Sequence, residues 1–132
     1  MTRPAPSVVL FVGSVPRMAA FYRELAAMRI AHEADDHVVL EIGGLQLVIH
    51  ALRGEPAPPD SDAPGLTPLP VREDAYLKLG LPVRSIAAAR ATALAHGGEI
   101  GSVEREWEAR GFRACDGHDP EGNVIQVRES VE

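Results

Sequence analysis

The first third of the chain combines short apolar runs with one amphipathic stretch. Apolar residues fill Val8 to Val12 between proline and glycine, a pattern typical of a buried strand. Val15 to Ala27 repeats apolar residues at helical spacing, and Ser14 is expected to cap this helix. Further strands are predicted at about Ile30–Glu33, Val38–Ile42 and Leu45–Ala51, with Gly43-Gly44 as a hairpin turn.

The same order of elements returns in the second half. Tyr76 to Val83 alternates leucine or valine with other residues, which predicts a half-buried strand. Ser85 is expected to cap a helix from Ile86 to His96, ended by Gly97-Gly98. Strands are then predicted at about Glu99–Arg105, Gly111–Asp116 and Asn123–Arg128.

Two modules of one strand, one helix and three strands follow from this repeat. The first covers about residues 7–52 and the second about residues 74–129. Residues 53–73 hold six of the eleven prolines without periodicity, so they are interpreted as a linker. Neither module could bury its sheet alone, and the chain of 132 residues is therefore predicted to be a single α+β domain.

Composition narrows the function classes. The net charge of −6 argues against a nucleic-acid partner and favours neutral or cationic ligands. No apolar run approaches a membrane span, and the N-terminus lacks an apolar signal region. The single cysteine, Cys115, excludes an internal disulfide, which fits a reducing cytoplasm.

The most informative motif lies near the C-terminus. Asp119-Pro120-Glu121-Gly122-Asn123 reads as a tight turn, and Val-Ile-Gln-Val follows it. The segment resembles the final hairpin of the vicinal-oxygen-chelate superfamily, which includes glyoxalase I, extradiol dioxygenases, fosfomycin-resistance enzymes and bleomycin-resistance proteins. Phe21-Tyr22 and Gly97-Gly98 extend the resemblance, which spans Ser7 to Glu129. It implies two βαβββ modules whose curved mixed sheets enclose a cavity, with the helices outside.

Strand alternation divides the side chains between that cavity and the helices. The sets expected to pack beneath the helices are Val8/Leu10/Val12, Leu45/Leu47/Ile49, Leu77/Leu79/Leu81 and Ile125/Val127. The sets expected to face the cavity are Ser7/Val9/Phe11, Gln46/Val48/His50, Tyr76/Lys78/Gly80/Pro82 and Val124/Gln126/Arg128.

The resemblance also locates four positions that hold a metal ion in metal-dependent relatives. Counted from the motifs, they fall on Ser7, Val48, Lys78 and Gln126. Such metals prefer imidazole or carboxylate ligands, which serine and valine do not supply. A protonated lysine has no lone pair, and glutamine lacks the negative charge. The four positions together predict a cavity without a metal ion.

Several other polar residues leave alternatives open. His50 is a displaced ligand, a general base or a polar residue at the cavity rim, and a pair with His37 together with Glu41 is conceivable. His118 and Asp119 are expected to bond local backbone in the turn. Cys115 is expected to be a small buried hydrophobe.

Aromatic residues indicate a binding function. Phe11 and Tyr76 have cavity parity, Trp107 falls in a predicted loop Glu106–Arg110, and Phe112 begins the next strand. Such rings suit stacking against a planar ligand, and the loop carboxylates of Glu104, Glu106 and Glu108 could attract a cation. The alternative is that Phe112 is core and Trp107 covers an interface.

The leading hypothesis is a metal-free small-molecule binding protein without a cofactor, similar to the bleomycin-resistance branch. It would sequester an amphipathic, partly aromatic antibiotic or metabolite, and the resemblance implies a homodimer. The predicted ligand-binding residues are Ser7, Val9, Phe11, Val48, His50, Tyr76, Lys78, Trp107, Phe112 and Gln126. The alternatives are a metal-dependent lyase, isomerase or dioxygenase that uses His50, and metal-independent acid/base catalysis by Lys78 or His50.

Overall fold

The first module forms a four-stranded sheet covered by one helix. A computed structural model describes residues 3–52 and 70–132, so most of the predicted linker, residues 53–69, lies outside the described residues. The elements are β1 (Ser7–Val12), α1 (Val15–Ala26), β2 (Arg29–Glu33), β3 (His37–Ile42) and β4 (Leu45–Ala51). The strand order is β1-β4-β3-β2, and β1 runs parallel to β4.

The second module repeats this plan with a more divided sheet. Its elements are β5 (Leu79–Pro82), α2 (Ile86–Ala95), β6 (Glu99–Ile100), a 3₁₀ turn (Val103–Arg105), β7 (Trp107–Ala109), β8 (Phe112–His118) and β9 (Val124–Ser130). The order is β5-β9-β8-β6, with β7 also paired to β8. The parallel pair β5 and β9 corresponds to β1 and β4, which confirms the predicted α+β repeat.

Both helices begin at the predicted caps. Ser14 Oγ accepts a hydrogen bond from Arg17 N at 3.3 Å, and Ser85 Oγ accepts one from Ala88 N at 3.1 Å. Neither helix in the described ranges is long and apolar enough to cross a membrane. The buried faces of the helices pack on the sheets, as the apolar sets predict. The core includes Met18, Phe21, Leu25, Leu47, Ile49, Leu81, Ile86, Ala89, Ala93, Ile125 and Val127.

The turn from Asp119 to Asn123, between β8 and β9, joins the two modules. We call it the signature turn. Both carboxylate oxygens of Glu121 lie 2.9 Å from the N–H nitrogen of Gly13, and one of them accepts from Ser14 N at 3.0 Å. Because these donors lie at the start of α1, the carboxylate also opposes the positive end of the helix dipole. The turn of the second module thus fixes the entry into the first helix.

The strand predicted from Tyr76 to Val83 is too long. β5 begins only at Leu79, whose partner is Ile125. Its neighbour β9 starts at Val124, one residue before Ile125, so residues before Lys78 lack a partner strand on that side. Leu77, predicted to pack beneath a helix, is instead 71% exposed, and the Tyr76 side chain is fully exposed.

The strand predicted over Glu99–Arg105 also proved wrong. Only Glu99–Ile100 pairs with β8, and the chain then turns through the 3₁₀ segment Val103–Arg105. The predicted loop Glu106–Arg110 contains strand β7, so Trp107 lies on a strand opposite Ala114. The turn after β7 uses positive φ at two residues, 36° at Arg110 and 83° at Gly111.

Candidate ligand-binding site

A chain of four polar side chains crosses one face of the second sheet. Lys78 Nζ lies 2.9 Å from Asp116 Oδ2, and Gln126 Nε2 donates to Asp116 Oδ1 at 3.1 Å. Arg128 Nε then donates to Gln126 Oε1 at 2.6 Å. Strand register produces this arrangement, because Asp116 on β8 is directly opposite Gln126 on β9. We call these four residues the Lys78 network.

The chemistry at the four metal-ligand positions does not fit a divalent metal ion. Lys78 presents an ammonium group, and its salt bridge to Asp116 keeps that group in the network. The Gln126 carbonyl oxygen is engaged by the Arg128 guanidinium. Ser7 and Val48 offer a hydroxyl and an alkyl group, which are not the ligands such ions prefer. At Lys78 a cationic side chain therefore occupies a position that the resemblance assigns to a metal ligand.

A cavity of about 640 Å³ opens beside the Lys78 network. Its volume falls in the range of roughly 300–1,000 Å³ typical of small-molecule sites. Lys78 and Asp116 lie in its wall, and both charge signs recur around it. The lining residues are Val71, Glu73, Ala75, Lys78, Glu99, Gly101, Ser102, Arg105, Asp116, Gly117, His118 and Val124. Of the ten predicted site residues, Lys78 lines this cavity.

Phe112, an aromatic residue of the second module, has two cationic neighbours. The guanidinium carbons of Arg110 and Arg128 lie 5.0 and 4.6 Å from the centre of the Phe112 ring. A ligand that stacks on this ring competes with these cation–π contacts. Trp107 is 40% exposed on β7 and is therefore accessible to a ligand or a partner. Stacking of a ligand against either ring stays a prediction.

The predicted residues of the first module share one sheet face. In the parallel register of β1 and β4, Val9 pairs with Val48, and Phe11 pairs with His50. Val9 and Phe11 are 48% and 51% exposed, in contrast to the fully buried Val12 at the end of β1. Strand parity predicted that these residues face a cavity, whereas Val9 and Phe11 lie on a half-exposed sheet face and do not line the cavity beside the Lys78 network.

His50 belongs to a group of polar side chains at one end of that face. Its ring stacks on the ring of His37, with centroids 5.5 Å apart and planes 5° from parallel. The carboxylate beside them is Asp36, whose Oδ1 lies 2.7 Å from His37 Nδ1. The hydrogen bond with His37 lowers the pKa of Asp36, so this carboxyl stays ionised. Glu41, the conceivable partner in the sequence, instead contacts Arg29 and Gln46.

Two carboxylates of the β7 region are already paired. Glu106 Oε2 lies 2.6 Å from Arg90 Nη2, and Glu108 Oε1 lies 3.0 Å from Arg113 Nη2. This pairing reduces the negative potential that the predicted loop carboxylates could offer to a cationic ligand.

The expectations for Asp119 and Cys115 are confirmed. Asp119 is fully buried, and its Oδ1 accepts from the backbone N–H groups of Glu121 and Asn123 at 2.9 Å each. Cys115 is fully buried, and burial raises the pKa of its thiol. A raised thiol pKa means less thiolate, so this cysteine is a packing residue rather than a nucleophile.

Sequence reasoning missed three residues that organise these sites. Asp116 lies at the centre of the Lys78 network, and the strand alternation through β8 puts it on the same face as His118. Arg128 was assigned to the cavity face but not to the site. Asp36 lies in the turn between β2 and β3, where alternation gives no signal for side-chain direction.

Comparisons with known proteins agree with this architecture. A family model described as a glyoxalase-like domain matches residues 7–128. No curated protein has significant sequence similarity to the chain. Solved structures from the glyoxalase/bleomycin resistance/dioxygenase superfamily share the fold, which confirms the predicted resemblance.

Three solved structures illustrate the likeness. A glyoxalase/bleomycin resistance protein from Albidiferax ferrireducens has 18% identity and a TM-score of 0.64, over 94% of this chain and 96% of that one. An integron cassette protein from V. cholerae has 20% identity and a TM-score of 0.62, over 98% and 96%. A mutant FosX from Listeria monocytogenes, complexed with Mn(II) and 1S,2S-dihydroxypropylphosphonic acid, has 12% identity and a TM-score of 0.63, over 99% and 92%.

Proposed function

This chain belongs to the glyoxalase-like domain family, and we propose that it is a small-molecule binding protein. Its ligand is an amphipathic, partly aromatic antibiotic or metabolite, which it sequesters rather than converts. Binding does not use a metal ion at Ser7, Val48, Lys78 and Gln126. Fold membership alone does not decide function, so the proposal depends on the chemistry of these side chains.

The Lys78 network is the observation that carries the proposal. A metal-dependent relative needs anionic or imidazole ligands at one centre, whereas the Lys78 network contains two cationic side chains, Lys78 and Arg128. The FosX structure described above is a complex with Mn(II). Replacement of metal ligands by a salt-bridged lysine and a hydrogen-bonded glutamine supports a binding role that needs no such ion.

The cavity beside the network suggests how the ligand is recognised. Lys78 and Arg105 can donate hydrogen bonds to acceptor groups, while Glu73 and Glu99 can accept them from a cationic end. Apolar contacts come from Val71 and Val124 in the same wall. A ligand with an apolar body and separate donor and acceptor groups suits this mixture.

A more specific form of this proposal is that the protein confers resistance to an antibiotic by binding it. A superfamily member from Burkholderia phytofirmans is described as a glyoxalase/bleomycin resistance protein/dioxygenase family enzyme, with 16% identity and a TM-score of 0.64. Bleomycin is cationic and partly aromatic, so it is a suitable first probe. The proposed site of action is the cytoplasm, where a lone thiol such as Cys115 stays reduced.

A homodimer is proposed as the working assembly. The support is the exposed apolar surface on the first sheet, where Val9 and Phe11 are about half exposed, and on β7, where Trp107 is 40% exposed. Isologous pairing covers such surface and places residues of two copies next to each other. The aromatic residues of one copy would then complete a crevice on the other.

Ligand titration tests the proposed function. Trp107 is the only tryptophan in the chain, so its emission reports on binding near β7. Bleomycin and a panel of planar amphipathic drugs and metabolites are titrated in EDTA, and calorimetry confirms each response. We expect saturable binding of aromatic amphipathic members and none of fosfomycin, which is small and not aromatic. Failure of every aromatic member, or binding that depends on an added divalent ion, would overturn the proposal.

A further inference from the structure

We propose that Asp36, His37 and His50 form a binding site for a divalent transition metal ion of the Zn²⁺ type. One ligand atom from each residue lies within 4.8 Å of the other two. None of the three is among the four positions, Ser7, Val48, Lys78 and Gln126, that the resemblance assigns to a metal ion. The proposed small-molecule binding places no ion here, but the two proposals share His50, which is also a predicted ligand-binding residue.

Backbone pairing holds the three ligands in place. His37 on β3 is directly opposite His50 on β4, which accounts for their stacked rings. The carbonyl of Asp36 accepts a hydrogen bond from Ala51 N at 2.8 Å, so the strand ladder continues into this residue. The carbonyl of His37 accepts from Ala34 N at 2.9 Å, which closes the turn between β2 and β3. Ligands on paired strands require little ordering when an ion binds.

Hydrogen bonding prepares His50 as a ligand. Its Nδ1 lies 2.8 Å from the carbonyl oxygen of Ala51, and a carbonyl only accepts, so Nδ1 carries the proton. The lone pair of a neutral ring is then on Nε2, which lies 3.6 Å from Asp36 Oδ2. In that tautomer Nε2 and Asp36 Oδ2 offer two lone pairs that a cation between them can bind. Backbone carbonyls commonly fix metal-binding histidines in this way.

The distances suit an ion of this size. Zinc binds imidazole nitrogen and carboxylate oxygen at roughly 2.0–2.2 Å, which places two tetrahedral ligand atoms about 3.4 Å apart. The separation between His50 Nε2 and Asp36 Oδ2 is 3.6 Å. His37 Nδ1 lies closer to Asp36 Oδ1, at 2.7 Å, which is a hydrogen-bond distance. A small rotation of the His37 side chain separates these two atoms enough for both to bind one ion.

The donor set selects the class of ion. Two imidazoles and one carboxylate suit Zn²⁺, Ni²⁺ or Cu²⁺, whereas Mg²⁺ prefers oxygen ligands alone. The His37 and His50 side chains are 27% and 32% exposed, and that of Asp36 is 62% exposed, so an ion can enter from solvent. The His32 ring lies 5.4 Å from the His37 ring and adds an imidazole nearby.

Calorimetric titration of the full-length chain tests the site. The protein is first treated with EDTA and dialysed, and ZnCl₂ and MgCl₂ are then titrated separately. We expect one Zn²⁺ per chain and no Mg²⁺ binding. His37→Gln and His50→Gln should each weaken Zn²⁺ binding at least about tenfold, since even the loss of a residue that only supports a metal ligand costs about 10–100-fold.

Two further variants sharpen the outcome. His96→Gln changes a histidine at the end of α2, outside the cluster, and should bind Zn²⁺ as wild type does. Asp36→Asn removes the carboxylate charge at an exposed position and should weaken Zn²⁺ binding without lowering the melting temperature in EDTA. The absence of Zn²⁺ binding to wild type at millimolar concentration would overturn the proposal. Equal loss in His96→Gln and His50→Gln would overturn it as well, because binding would then be adventitious.

Discussion

Tyr22 donates its phenolic O–H to Oδ2 of Asp119 across 2.6 Å. The exposed fractions of the two residues are 1% and 0%, so the pair is sealed inside the protein. Tyr22 lies on the first helix and Asp119 opens the signature turn of the second module, which makes this bond a buried link between the repeats. The turn carboxylate also accepts two backbone N–H groups, so its charge is compensated locally.

Removal of this hydroxyl should destabilise the domain. Tyr22→Phe keeps the ring in the core but takes one donor from a buried carboxylate. Hydrogen bonds to charged groups contribute about 1.5–3 kcal/mol, so we expect a loss of about 2 kcal/mol in the free energy of unfolding. Urea denaturation measures this loss. Tyr76→Phe is the matched control, because Tyr76 is fully exposed and the same change should have no effect there.

The same pair predicts a specific dependence on pH. Burial, reinforced by the negative charge of Asp119, raises the pKa of Tyr22 well above its ordinary value of 10.0. Below pH 10 the Tyr22 hydroxyl is protonated in both the folded and the unfolded protein. Its hydrogen bond to Asp119 then makes its full contribution to the free energy of unfolding. Above pH 10 the unfolded chain releases this proton while the folded chain retains it, so the contribution falls as pH rises. The stability difference between wild type and Tyr22→Phe should therefore be smaller at about pH 11 than at about pH 8.

Two glycines, Gly122 and Gly44, distinguish the energetic cost of a strained backbone from the cost of close packing. Gly122 in the signature turn has φ of +83°, and a Cβ there would lie 2.1 Å from the carbonyl oxygen of Pro70. Gly44 in the first hairpin has nearly the same φ, +84°, but nothing lies within 4 Å of its Cβ position. Gly44→Ala should cost only the left-handed backbone energy, about 1–2 kcal/mol.

Gly122→Ala should cost more than Gly44→Ala in the same denaturation experiment. The added methyl group must displace residues 70–72, whose Arg72 N–H donates to the Gly122 carbonyl at 2.7 Å. Equal losses in the free energy of unfolding would show that residues 70–72 move aside without an energetic penalty. The comparison therefore measures how much the contact between residues 70–72 and the signature turn contributes to stability.

Local sequence signals predicted most of the fold because they act over short distances. Ser14 and Ser85 cap the helices, Gly43-Gly44 forms the predicted hairpin with positive φ, and β4 has its predicted bounds. The predicted strands are wrong where a neighbouring strand has to be present for the segment to form a strand. Leu77 alternates like a strand residue, but β9 offers no partner at that point, so its side chain is exposed.

The candidate sites were less predictable for a related reason. Alternation assigned Lys78 and Gln126 to one face, but it could not reveal that Asp116 on a third strand would join them. Likewise, strand alternation puts His37 and His50 on one face of the sheet. It does not predict the side-chain direction of Asp36, because Asp36 lies in a turn. Charge pairing between distant segments depends on register across strands, and a single sequence does not state that register.

The proposed homodimer predicts the size of the particle in solution. Light scattering coupled to gel filtration should give about twice the chain mass of 14.1 kDa at micromolar concentration. Phe11→Asp should shift the protein towards the monomer, because Phe11 is 51% exposed on the open sheet face and a charge there opposes apolar contact. Val103→Asp, at an exposed residue in the 3₁₀ turn of the second module, is the control. A monomeric wild type would contradict the assembly.

Ligand binding should depend on both a ring and a charge. Trp107→Ala should weaken an aromatic ligand by about 1–3 kcal/mol if Trp107 becomes buried as a hot spot on binding. Lys78→Met removes the ammonium group from the cavity wall and should weaken ligands that carry an acceptor or an anionic group.

The two variants respond to different parts of the ligand, which makes their comparison decisive. A purely apolar aromatic probe should lose affinity in Trp107→Ala but not in Lys78→Met. Arg23→Met, a change of similar character on α1 outside this cavity, should leave all affinities unchanged. If Lys78→Met binds every identified ligand as wild type does, the cavity beside the Lys78 network is not the binding site. The open face of the first sheet, where Val9 and Phe11 are exposed, would then be the next surface to test.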